Sequence, residues 1–211
     1  MAIVGYNATL KVTGTPTGLS SEAMSTVSAV ANTYQVTDAA KRILDRAATL
    51  TFTEGSTAGR VSIAAAQITS IDYLFGRVTF SSTQAEPVRV VGNYLPAAVV
   101  AGAHAFSMDL SREVLDDTDF TSTGWRSRKS GLMDAAISVT RWDSVDKVYL
   151  NLIQAGTPVV MEIKPLGTTA AMLRGFFVPE SENKSGDVGG LESAELSYLL
   201  DGSTLSAFSW P

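Results

Sequence analysis

Apolar and polar residues alternate with a period of two along most of this chain. Ala8, Leu10 and Val12 fall on one side and Thr9, Lys11 and Thr13 on the other, as in a half-buried strand. Val61, Ile63 and Ala65 repeat the pattern after the turn residues Glu54-Gly55-Ser56. Ile71 to Phe80 reads as two strands joined by a tight turn near Gly76, and Val88, Val90 and Tyr94 follow. Phe106, Met108, Leu110 and Val114 then alternate with Ser107, Asp109, Ser111 and Glu113, and Ile137 and Val139 with Ser138 and Thr140. Later strand-like runs are 158–164, 171–178 and 191–200. Abundant Ser and Thr suit solvated sheet faces. The pattern predicts a mainly β chain, a β-sandwich or barrel.

The period changes to that of a helix at 144–154. Asp143 or Ser144 can cap it, and Val145, Val148, Tyr149, Leu152 and Ile153 form one stripe. Gly156 ends it and Pro158 prevents a restart. The stripe predicts a single helix flanking a sheet. A second short helix is expected over 38–47, with Ala39, Ala40, Ile43, Leu44 and Ala47 on one side, and a weaker third over Ser21 to Ala31. Two stretches read as long loops, 115–130 and 179–190. No repeat and no linker divides the 211 residues, which predicts one domain over 1–211.

Composition narrows the chemistry. Hydrophobic residues make up 45% and charged residues 18%, enough apolar matter for a core. A net charge of −5 lacks the basic footprint of a protein that grips nucleic acid. There is no cysteine and one histidine, His104, so thiolate nucleophiles, disulfides, cysteine zinc sites and histidine pairs are all excluded. No Gly-x-Ser-x-Gly elbow accompanies His104, which reads as a packed or surface residue. Asp116 and Asp117 are adjacent and point to opposite faces of a strand, a poor acid/base pair. Asp116-Asp117-Thr118-Asp119 lacks the glycine and terminal glutamate of a calcium loop. The expectation is a non-enzyme without cofactor or metal.

The N-terminus has no basic region or apolar run of signal length. The longest apolar stretch, Tyr94 to Ala103, contains Pro96 and Gly102 and falls short of the roughly 20 residues a spanning helix needs. Cytoplasmic synthesis without a membrane partner is expected. The 115–130 loop is the unusual feature. It places Asp116, Asp117, Asp119 and Phe120 before Trp125, Arg126, Arg128 and Lys129, so both charge signs surround an aromatic, and Trp and Arg anchor interfaces. The alternative is a tryptophan folded onto its own core within a solvated basic turn.

Asp119 to Thr140, with its Gly131-Leu132-Met133-Asp134-Ala135-Ala136-Ile137-Ser138-Val139 strand, resembles the central part of the tail tube (major tail) proteins of long-tailed bacteriophages. The helix, the 158–164 strand and the Gly-rich 184–190 loop follow in that family's order, so the resemblance covers roughly 100–202. Tyr34-Gln35-Val36-Thr37-Asp38 and Lys41-Arg42-Ile43-Leu44-Asp45 are similar to a subgroup of it. The resemblance implies a structural virion protein, made in the bacterial host cytoplasm, whose hexameric rings stack into the hollow tail tube. DNA would pass through without specific binding, and a tape measure protein and a tail terminator would be partners. It implies that the 115–130 and 179–190 loops reach between rings. An acidic lining would let DNA slide, because each basic residue adds a phosphate contact. Asp109, Glu113, Glu162, Glu192 and Glu195 are the lining candidates, with Asp109 and Glu113 on the polar face of their strand. Rival readings are a tail terminator or other tail ring protein, and a carbohydrate-binding β-sandwich using Trp125 and Tyr149.

Overall fold

A computed structural model describes residues 9–28, 30–56, 59–100, 102–118, 125–142, 148–164, 173–186, 192–202 and 208–209. The strands are β1 (Thr9–Thr13), β2 (Thr17–Thr26), β3 (Thr33–Val36), β4 (Thr51–Glu54), β5 (Val61–Ser62), β6 (Ile68–Asp72), β7 (Arg77–Phe80) and β8 (Val88–Tyr94). They continue as β9 (Ala97–Val99), β10 (Ala103–Asp116), β11 (Arg128–Trp142), β12 (Val159–Lys164), β13 (Leu173–Ser185), β14 (Ser193–Leu200) and β15 (Phe208–Ser209). One α-helix, α1 (Val148–Ala155), lies among the described residues. The mainly β class, with antiparallel sheets and a single helix, agrees with the periodicity. The expected capping residues of α1 lie outside the described residues.

The chain divides into two compact units: residues 1–100, 159–175 and 208–211 form the first, and 101–158 with 176–207 the second. The first unit contains a seven-stranded antiparallel sheet in the order β5-β4-β8-β2-β3-β7-β6. Its inward positions are apolar: Leu19, Met24, Tyr34, Val36, Phe52, Val78, Phe80, Val88 and Val90 pack as one cluster. Phe80 meets Tyr34 at 5.7 Å and Phe52 edge-on at 5.8 Å between ring centres, geometries that aromatic quadrupoles favour. The buried Tyr34 hydroxyl accepts from Gln84 N and donates to Gln84 O, so its polar end is satisfied. The turn between β6 and β7 requires Gly76. Its φ is +62°, and a Cβ there would lie 2.6 Å from the Arg42 carbonyl oxygen. The same unit pairs β1 with β12 on one side and β9 on the other.

Two helix expectations are corrected here. Over 38–47 there is only a 3-10 turn, Ala39–Lys41, capped by the Asp38 side chain. Ile43, in a bend, and Leu44 are then buried, with Leu44 bridged to Tyr94. Their apolar spacing mimicked a helix because both residues enter the sheet core by a different route. Ser21 to Ala31 is not helical either. It begins inside β2, whose register shifts between Leu19 and Glu22 at the left-handed Ser21, and β-branched and hydroxyl residues favour the strand.

The second unit is built on an antiparallel ladder in the order β10-β11-β14-β13. β10 and β11 form a long hairpin, while β14 covers only Ala136–Trp142 of β11. The hairpin therefore extends past its neighbour. The ends of the first expected loop, 115–116 and 128–130, belong to the hairpin, and 179–185 of the second belongs to β13.

Candidate functional site

The ladder registers of the second unit sort its side chains onto two faces. One face carries Phe106, Met108 and Leu110 opposite Val139, Ile137 and Ala135, and continues to Leu196 and Tyr198. The other carries Ser107, Asp109 and Ser111 opposite Ser138, Ala136 and Asp134, and continues to Thr140, Glu195, Ser197 and Asn183. Between the irregularities at Ala103/Ala105 and Arg112/Val114, this second face holds three exposed carboxylates and no Lys or Arg. Asp109 and Glu195 are thus brought to one face, and Asp134, which sequence reasoning passed over, joins them. Alternation from Asp109 around the hairpin to its partner strand was the signal for Asp134.

The apolar face departs from expectation. Val139, Ile137 and Ala135 are buried, yet Phe106 is 40% exposed, Leu110 52% and Val114 60%. Met108, Leu132 and Met133 are exposed as well. The apolar row of β10 does not find a core within the described residues, even at Phe106 and Met108, whose partners on β11 are flanked by β14. β10 is also the end strand of its sheet, so its outer backbone edge faces away from any described neighbour.

Glu113 sits in the bulge, where a Cβ on Gly131 would come within 2.9 Å of its carboxylate. The bulge breaks the alternation that placed Glu113 beside Asp109. Glu192 precedes β14 in an exposed position against Gly186, off the ladder.

At the hairpin tip the charges match within the chain. Asp117 pairs with Lys129 at 2.7 Å, Asp116 stands opposite Arg128, and Asp117 N donates to Ser127 O. Thr118 donates to Asp116 from its hydroxyl and its amide, and these bonds hold that carboxyl below the usual aspartate value. Trp125 is 83% exposed and does not fold onto the core, and Arg126 is exposed beside it. Asp119 and Phe120 lie outside the described residues.

Glu162 corrects a lining assignment. It occupies the middle of a fully buried run, Val159 to Ile163, and its side chain is 3% exposed. Arg174 donates to its Oε2 from Nε at 2.9 Å and from Nη2 at 2.6 Å, while Lys164 and Lys11 approach Oε1 at 3.2 and 3.5 Å. Burial pushes the carboxyl up, but the Arg174 charge and the hydrogen bonds from Arg174 and Lys164 outweigh it and hold it low. A lone carboxylate among the four apolar residues Val159, Val160, Met161 and Ile163 was the signal for a buried pair rather than a wetted acid.

His104 stacks on Trp142 with ring centres 4.2 Å apart, at the base of the hairpin. No cluster of metal-ligating side chains occurs among the described residues, and no described helix is long and apolar enough to cross a membrane.

Charge divides unequally between the units. The first has nine Lys and Arg against seven Asp and Glu, net +2; the second has seven against fourteen, net −7. The chain's negative charge therefore resides in the unit that carries the acidic face.

No protein-family model matches this sequence, and no curated protein matches it. Among solved structures, a chain from the tail of an empty gene transfer agent particle, refined helically in C6 symmetry, is 21% identical. The overlap covers 55% of this chain and 87% of that one, with a TM-score of 0.46. A chain from the virion of a native gene transfer agent particle is also 21% identical over 55% of this chain and 88% of its own, again with a TM-score of 0.46.

Proposed function

We propose that this chain is a structural subunit of a phage-like tail, assembling into stacked rings around a lumen through which DNA passes. The observation that carries the proposal is β10: a fourteen-residue end strand whose apolar row is half exposed along its length. An unpaired edge with exposed large apolar side chains is a template for another chain. Covering each of these half-exposed side chains contributes on the order of 1 kcal/mol, so a row of them rewards association.

The acidic face gives the assembly its polarity. Asp109, Asp134 and Glu195 would line the lumen, where carboxylates without interleaved cations repel phosphate. The exposed Trp125 at the hairpin tip would contact the adjoining ring. Six subunits per ring, a tape measure protein within the lumen and a terminator at its end belong to the same proposal, which follows from the tail tube resemblance. So do residence in the virion tail, assembly in the host cytoplasm, and a role without catalysis.

The test is sedimentation and negative-stain imaging of the purified full chain across a concentration series. Rings or tubes are expected, and Leu110→Lys should leave a folded monomer. A chain that remains monomeric at high micromolar concentration, or a Leu110→Lys variant that assembles normally, overturns the proposal. Single rings that never stack point to the terminator instead.

A further inference from the structure

The first unit encloses a cavity of about 460 Å³ whose wall contains Lys11, Arg42, Lys164 and Arg174 but only one carboxylate, Glu162. Arg174 spends two donors on Glu162 and gives Nη1 to the Leu74 carbonyl at 2.6 Å. Arg42 donates from Nε to the Val36 carbonyl at 2.9 Å, which satisfies a hydrogen bond without supplying negative charge. Burial holds Arg42 below its ordinary value, the nearby charges of Arg174 and Arg77 add to the depression, and the Asp38 carboxylate opposes it. The wall thus carries an excess of three positive charges, at partial burial.

The two lysines have the most to offer a ligand. Each ammonium has three donors. Among the described residues, the carboxylate paired with either one is Glu162, at 3.5 Å for Lys11 and 3.2 Å for Lys164. Both remain partly accessible, at 29% and 19% of their side chains. Residues 1–8 and 165–172, which adjoin them in the chain, contain no Asp or Glu. The lining also includes the apolar and aromatic residues Ile43, Phe75, Tyr94 and Pro96, with the Phe75 ring 5.1 Å from the Arg174 guanidinium. A cavity of this size lined by both cationic and apolar side chains suits a small organic molecule better than a bare inorganic ion.

We propose that this cavity binds a small organic anion, its oxyanion head on Lys11 and Lys164 and its apolar body against Tyr94 and Pro96. Lysine suits such a head as a movable point charge, while Arg174 is already committed to holding Glu162. The site is independent of ring assembly.

The experiment is calorimetric titration of the full chain at fixed ionic strength with phenyl phosphate and with phenylacetate. Inorganic phosphate and benzyl alcohol supply the head and the body separately. At least one aromatic anion should bind saturably, one per chain, about tenfold or more tighter than either fragment, and the better of the two assigns a phosphate or carboxylate head. Lys11→Gln with Lys164→Gln should weaken it at least about tenfold. On the unaltered protein, the bound anion should slow acetylation of Lys11 and Lys164 while Lys129 reacts as before. Failure of both anions to bind, binding unchanged in the double variant, or absence of protection overturns the site. So does inorganic phosphate binding equally well, which would mean an adventitious ion only. Loss of self-association in the double variant without anion binding would place a second copy in the cavity and also refute the proposal.

Discussion

Glu162→Ala tests how far one buried carboxylate holds the first unit together. The substitution strips Arg174 of the partner that accepts from both Nε and Nη2, and leaves Lys11, Lys164 and Arg42 facing one another without a counter-ion. Breaking a buried pair by removing one partner costs about 3–5 kcal/mol. The two lysines are partly exposed, so water screens their share, and the loss should sit near the lower end, about 3 kcal/mol. With a urea dependence of about 1–3 kcal/mol per molar, the midpoint should fall by roughly 1–3 M. Glu162→Gln keeps the shape and one acceptor and should lose about half as much. Acidity supplies an independent reading. The folded carboxyl titrates below the ordinary glutamate value of about 4.3, so the unfolded chain binds the proton first. The contribution is therefore complete above that value and disappears as pH falls through the lower, folded one. Urea midpoints measured from neutral pH into acid should converge for the parent and Glu162→Gln. A Glu162→Ala midpoint within experimental error of the parent at neutral pH would refute the reasoning, because the pair would then merely offset its own desolvation.

Gly76→Ala combines a φ of +62° with a Cβ 2.6 Å from the Arg42 carbonyl, and should cost about 2–4 kcal/mol by thermal unfolding. Leu152 is half-buried on α1, so Leu152→Asp should destabilise by about 1–2 kcal/mol in the same assay, less than a core charge would. Trp125→Ala should leave stability unchanged, since the ring is exposed, and should shorten or abolish tubes under the electron microscope.

Period-two alternation identified the strands wherever one face meets a core. Ile137, Val139, Leu196 and Tyr198 are buried while Ser138 and Ser197 are half-buried on the opposite face. The Gly76 turn was equally legible, because its left-handed backbone selects glycine. Ile43 and Leu44 misled because i, i+4 spacing from Ala39 and Ala40 fits a helix, while the partner that decides their conformation, Tyr94, is fifty residues away. Hairpin length was also hidden: polar, charged residues at 115–118 and 125–130 look like loop in one dimension, yet cross-strand pairs such as Asp117 with Lys129 hold them in register. The Glu162 cluster depends on three cations from different strands, and only its apolar flanks hinted at it.

Asp109 and Asp134 are diagonal neighbours across the β10–β11 ladder, and Glu195 stands opposite Thr140 and Asn183 on the same face. Asp109 and Asp134, with no cation between them, repel, and that arrangement contributes nothing to stability. On the proposed tube function, exclusion of another polyanion would account for it, since a lining that accepted phosphates would release counter-ions at each contact and hold the DNA. Asp109→Lys, Asp134→Lys and Glu195→Lys together reverse the face without touching the buried side. The ladder should still form and tubes should still assemble, because all three side chains are exposed. Tubes of the triple variant should retain double-stranded DNA at low salt and release it steeply as salt rises, while parent tubes should not retain it. A control with Glu54→Lys and Glu86→Lys, in the first unit, makes a smaller charge change without altering the ladder of the second. Retention by the control as strong as by the triple variant would show that overall charge governs binding and would remove the acidic face from the lumen. Retention by the triple variant alone, with the DNA protected from nuclease added outside intact tubes, would place Asp109, Asp134 and Glu195 in the lumen, and digestion of that DNA would place them on the outer wall.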